Sequence, residues 1–123
     1  MRKLLAVLLS LLMLVTMSAC SSNKTAESNY GEGFTFTIAM ECAYAPYNWT
    51  QSDDSNGAVP IKDSSDYANG YDIMIAKKIC EENGWNLEVI RSDWDSLVPS
   101  VQTGLIDAAI AGQSMTAERS EQV

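Results

Sequence analysis

Residues 94–119 read WDSLVPSVQTGLIDAAIAGQSMTAER, and their pattern decides the fold. Asp95 stands where a helix N-cap belongs, Leu97, Val98 and Val101 recur at helical spacing, and Thr103-Gly104 supplies a stop. Pro99 then falls in the first turn, where at most one intrahelical bond is lost. The run 106–111 is short and apolar, which suits a buried parallel strand. Thr116 offers a cap for a following helix whose first turn carries Glu118 and Arg119. A strand that feeds a helix N-terminus makes a polar pocket at the carboxyl edge of a sheet.

Upstream, residues 34–40 alternate Phe, Thr, Phe, Thr, Ile, Ala and Met, a period-two run of strand formers. The turn after this first strand carries one acid, Glu41, and three aromatics, Tyr44, Tyr47 and Trp49. Residues 50–69 are polar and fit no periodic element, so they read as a solvated loop longer than most connections in a compact domain. Their aspartates lack the twelve-residue calcium-loop pattern with its terminal glutamate. Gly70-Tyr71-Asp72 opens a helix with Asp72 as cap, Ile73, Ala76, Ile79 and Cys80 share one face, and Asn83-Gly84 closes it. Residues 85–91 form a second strand, and Ser92-Asp93 leads into the quoted stretch. Alternating strands and helices with right-handed crossovers give an α/β open parallel sheet flanked by helices.

The helix fits W/F-D-x-L-x-P-x-x-Q-x-G-x-x-D-A, and residues 111–119 fit A-G-x-S/T-x-T-x-E-R. Together they resemble the first lobe of the extracellular solute-binding proteins of polar amino-acid ABC importers, bacterial solute-binding protein family 3, and the resemblance runs back to Phe34. It implies strand order 2-1-3 in part of lobe 1 of a two-lobed, periplasmic-binding-protein-like fold. It also implies a monomeric, non-catalytic receptor without cofactor or metal, which captures a polar amino acid outside the cell and delivers it to a permease. It assigns Arg119 to the ligand carboxylate, for which a guanidinium offers a planar fork. Ser114 and the backbone at Gly112 fall to the ligand's polar head, the rings of Tyr44 and Trp94 to its flanks, and Glu41 to its ammonium or side chain.

Position alone leaves plainer alternatives for each. Arg119 reads equally as a surface residue paired with Glu118 or Glu121, and Ser114 as a capping hydroxyl. Tyr44 and Trp94 read as covers for the sheet edge, and Glu41 as a solvent-facing acid. Trp49 and Gly70-Tyr71-Asp72 read as structural, and Asp107 as a partner for neighbouring backbone. Two rival functions share the scaffold. A dehydratase of the cyclohexadienyl or arogenate type, or a lytic-transglycosylase-associated domain, needs paired carboxylates or an activated nucleophile, and the sequence offers neither. The sensor domain of a signalling receptor would be held by transmembrane helices.

The amino terminus carries a different signal. Met1, Arg2 and Lys3 precede an apolar run over residues 4–15, broken only by Ser10, and Met17-Ser18-Ala19-Cys20 ends a small-residue cleavage context. The run is shorter than the roughly 20 residues that span a bilayer. Residues 1–19 therefore read as a lipoprotein signal peptide, with Cys20 as the lipidated residue that holds the protein on the outer face of the cell membrane, each buried methylene contributing about 0.8 kcal/mol. Residues 20–33 are polar and glycine-punctuated, a flexible tether. Residues 34–123 are then a truncated lobe 1, and residues 20–123 alone are expected to fold marginally and bind weakly, because a cleft wall and a sheet edge stay exposed.

Composition sets further bounds. Without residues 1–19 the chain carries six basic and sixteen acidic side chains, a net of ten negative charges, so nucleic acid is a poor partner and anionic lipid is repelled. With no histidine and no C-x-x-C pair, zinc lacks its ligands. Cys42 follows the first strand, and Cys80 lies near the end of a helix running back down the sheet. About eight helical residues separate their levels by roughly 12 Å, too far for a disulfide, so both read as buried free thiols.

Overall fold

The computed structural model describes residues 30–122; the expected signal peptide, Cys20, the expected tether up to residue 29, and Val123 lie outside the described residues. In chain order the elements are β1 (Thr35–Met40), β2 (Ala43–Tyr44), β3 (Asn48–Gln51), a 3-10 turn (Ser55–Gly57), β4 (Val59–Pro60) and β5 (Tyr67–Asn69). There follow α1 (Tyr71–Asn83), β6 (Asn86–Arg91), α2 (Trp94–Gln102), β7 (Ala108–Ala109) and α3 (Ala117–Gln122).

The expected parallel sheet is present, with β1 between β6 and β7, which is order 2-1-3 among the parallel strands. Its register runs from Thr35 opposite Asn86 to Met40 opposite Arg91. Ile38, Ala39 and Met40 are buried in succession. Consecutive strand residues point to opposite faces, so both faces of β1 are covered. Ile73 and Ala76 of α1, Val89 of β6 and Leu97 of α2 join them in one core. Burying each of the larger aliphatic side chains contributes about 1.5–3 kcal/mol. Gly84 ends α1 as expected, in the left-handed region at φ 68, with its N–H on the Cys80 carbonyl.

Several local readings change. α2 begins at Trp94, so Asp93 is the extended N-cap residue and Asp95 lies within the first turn. Pro99 therefore falls in the second turn, where its missing N–H leaves the Asp95 carbonyl without its helical partner, at an exposed residue. The strand expected over 106–111 shrinks to Ala108–Ala109. The Asp107 side chain, rather than a strand carbonyl, takes the Thr37 N–H at 2.8 Å, and the Leu105 and Ile106 N–H groups turn back to the Ser100 carbonyl. Asp107 thus bonds neighbouring backbone, as its sequence context suggested.

α1 is capped by Gly70, not Asp72. Gly70 sits at φ 126, and a Cβ there would collide with the Tyr47 carbonyl, so the position takes glycine alone. Residues 50–69 are not a loop. They supply β3, β4 and β5 of a second, antiparallel sheet in the order β2-β3-β5-β4. A bridge between Ile61 and Val89 joins it to the outer edge of β6. The Ser55 side chain first, and then its N–H, which Asp53 accepts at 3.0 Å in a local turn, lower the Asp53 carboxyl pKa.

Residues 30–33, read as tether, are fastened to the sheet's amino edge. The Gly33 N–H reaches the Gly84 carbonyl at 2.8 Å, and Trp85 Nε1 donates to the Tyr30 carbonyl at 3.2 Å. The rings of Tyr30, Phe34, Phe36 and Trp85 gather there. Cys42 and Cys80 are both buried and free. Burial pushes the Cys42 thiol up to about 11, against a smaller opposing pull from Arg91.

Candidate functional site

The carboxyl edge of the parallel sheet is built from three turns. The first joins β2 to β3, where the Tyr47 N–H closes on the Tyr44 carbonyl at 2.9 Å and the two rings stack with centroids 5.0 Å apart. The carbonyls of Pro46 and Tyr47 accept the Tyr71 and Asp72 N–H groups at 3.2 and 2.9 Å. They satisfy two of the donors that a helix start leaves orphaned, and so lock the hairpin turn onto α1.

The second turn follows β7. Gly112 adopts φ 63, and a Cβ there would come within 3.1 Å of Tyr44 Cε1 and 3.3 Å of Tyr47 Cγ. Glycine is what lets this strand exit lie flat beneath the two rings. Tyr44, Tyr47, Tyr71, Asp72, Gly112 and Ser114 enclose an open recess of about 450 Å³.

The third turn enters α3. Thr116 caps this helix, its Oγ1 accepting the Arg119 N–H at 3.2 Å, so the expected cap is present and Ser114 is not it. Arg119 Nη1 donates to the Ser114 carbonyl at 2.7 Å, and its guanidinium carbon lies 5.3 Å from the centre of the Trp94 ring. These contacts aim a partly exposed fork across a second recess of about 480 Å³ that Trp94 and Arg119 line with Gln113. The three ion pairs among the described residues, Lys62–Glu88, Lys78–Glu82 and Arg91–Asp66, do not include Arg119.

The structure therefore brings five of the six expected residues onto one wall. Tyr44, Gly112 and Ser114 form one part, Arg119 and Trp94 the other, joined by the Arg119–Ser114 bond and by Gln113, which lines both recesses. Glu41 stands apart, half-buried in a third recess with Arg91, Ser92, Asp93 and Ser96. Sequence reading missed Tyr47 and Tyr71 as wall residues and treated Asp72 as a cap. The available signal was Tyr44-x-x-Tyr47 across a proline turn, a spacing that folds two rings onto each other.

Residues 36–123 match the bacterial extracellular solute-binding proteins, family 3. The chain belongs to that family. Among its relatives, the octopine-binding periplasmic protein of Rhizobium meliloti is 32% identical over 85 residues, covering 69% of this chain and 25% of that protein. An amino acid ABC transporter substrate-binding protein of Streptococcus pneumoniae, solved bound to L-arginine, superposes with a TM-score of 0.60 at 32% identity, over 71% of this chain and 32% of that one. The arginine-bound form of domain 1 of TmArgBP, the T. maritima protein, gives a TM-score of 0.56 at 28% identity, over 71% and 58%. The chain spans 22% to 44% of the length of these curated relatives.

Proposed function

We propose that this chain is one wall of an exported receptor for a cationic amino acid, anchored by lipid at Cys20 and serving an ABC permease. The observation that carries the reading is Arg119, bonded to the Ser114 carbonyl and seated over Trp94, with four of a guanidinium's five donors left for a carboxylate. Ser114 and the Gly112 backbone lie beside it for the ligand's polar head, and Tyr44 adds a ring face. Residues 34–123 form part of a first lobe on this reading, and a second lobe closes over the ligand. The relatives, longer than this chain, support that arrangement.

Two observations favour a cation in the side-chain position. The relatives described above are named for octopine or arginine. The recess beneath Tyr44, Tyr47 and Tyr71 presents ring faces, and no basic side chain lines it. Glu41 and Asp93 place two acids against the one base, Arg91, in the third recess. Arginine, lysine, histidine, glutamine and glutamate, each titrated into the full-length protein in a thermal-shift assay, test the proposal. Ligand at a hundredfold its Kd adds about 2.7 kcal/mol of stability, which raises Tm by roughly 5–10 °C in a domain of about 150–250 residues. Arginine is expected to give that shift and glutamate none. A flat response to all five contradicts the reading.

A further inference from the structure

The wall that holds the proposed ligand groups rests on a buried acid. Asp72 is 5% exposed and sits in the first turn of α1, where its N–H is already taken by the Tyr47 carbonyl. Its side chain does not cap the helix. Instead Oδ2 accepts Nδ2 of the fully buried Asn48 at 2.8 Å, and the Gly112 backbone N–H also faces the carboxylate. Asn48 Oδ1 is buried with no partner among the described residues. The acid therefore bonds the hairpin strand β3 to the start of α1 and borders the left-handed turn at Gly112, which lines the same recess.

From this geometry we propose that Asp72 is a positioning residue, which fixes the Gly112–Ser114 turn and through the Ser114 carbonyl sets the aim of Arg119. The inference rests on the ligand role given to that turn above. The arrangement is costly to the fold, as the burial makes plain. Desolvation raises the Asp72 carboxyl above its ordinary value, against the opposing donors Asn48 and Gly112. An acid whose pKa is higher folded than unfolded takes up protons on folding, so its charged form destabilises the molecule, and stability recovers as pH falls through the raised value. A group kept purely for stability would not behave this way. The other titratable groups lining the same recess are Tyr44 and Tyr47 from the hairpin turn and Tyr71 beside Asp72 itself.

Asp72→Asn separates the roles. Its amide still accepts from Asn48 Nδ2, and its own NH₂ offers the orphaned Asn48 Oδ1 a donor, while one acceptor for the Gly112 N–H is lost. In the full-length protein, the variant is expected to melt at or above the wild-type Tm and to bind arginine about tenfold more weakly at neutral pH. Wild-type affinity should fall as the acid protonates, and the variant's should not follow. A ligand-free readout stands beside these: the Gly112 amide resonance in ¹⁵N NMR should titrate with pH in the wild type and stay flat in Asp72→Asn. Trp85→Ala, at the opposite edge of the sheet, is the control that loses stability and keeps affinity. A variant that melts lower while binding as the wild type overturns the inference, as does a Gly112 amide that ignores pH in the wild type. Failure of the wild type to bind any amino acid would instead sink the receptor reading, with the amide titration still deciding the role of Asp72.

Discussion

Replacing Arg119 puts the largest share of binding energy at stake. Its guanidinium spends one donor on the Ser114 carbonyl at 2.7 Å and sets its central carbon 5.3 Å from the Trp94 ring centre. A bidentate carboxylate would engage two more, each charge-assisted bond contributing about 1.5–3 kcal/mol. Because the side chain is partly exposed, the lower end applies, and Arg119→Ala should lose about 3–4 kcal/mol, roughly a 150- to 850-fold rise in Kd. Arg119→Lys keeps the charge but not the fork, so its expected loss is smaller, about 10- to 50-fold. Isothermal titration of arginine into the full-length protein measures both. The same substitutions remove an exposed bond to the Ser114 carbonyl and a cation–π contact, which together contribute about 1 kcal/mol to the fold. Tm should then fall by only a few degrees, which separates lost grip from lost structure. A Kd for Arg119→Ala within about threefold of wild type would refute the reasoning, since a carboxylate clamp cannot be that weak.

Gly112→Ala forces a Cβ into the left-handed region and against the Tyr44 ring at 3.1 Å. A left-handed non-glycine residue costs about 1–2 kcal/mol, so calorimetry should show a Tm lowered by about 2–8 °C, with weaker binding because both rings must shift. Cys42, with its thiol raised to about 11, should resist iodoacetamide at pH 8, where roughly one molecule in a thousand carries the thiolate. Rapid labelling of the folded protein, read by mass spectrometry, would show that the pocket around Cys42 opens. Cys20→Ala is expected to move the protein from the membrane fraction to the medium or periplasm, and an unchanged distribution would rule out the lipid anchor.

The long elements were legible because each carries enough residues to display a period and a stop. β1 shows its alternation over six residues, and α1 its left-handed glycine at Gly84. The second sheet was not, since β2, β4 and β5 have two or three residues each, too few to separate a strand from a polar loop. Asp72 was misread for a related reason. An aspartate after Gly-Tyr at a helix start looks like a cap, and only the packing of Asn48 from 24 residues upstream shows where its carboxylate goes. Arg119, Trp94 and Gly112, expected from the spacing of a motif, lie on the wall described above. Tyr47 had only its spacing from Tyr44 across a proline turn to mark it, and Tyr71 had no local signal, because its place on the wall depends on a hairpin turn docking on a helix start.

The central claim is that Arg119 grips the carboxylate of an amino acid on this wall. A crystal structure of the full-length protein with arginine tests it most directly. The account predicts two ligand oxygens within about 2.7–2.9 Å of the Arg119 guanidinium nitrogens, with the ligand lying against Tyr44 and Trp94. An occupied cleft in which Arg119 points to solvent and another group holds the carboxylate would contradict it.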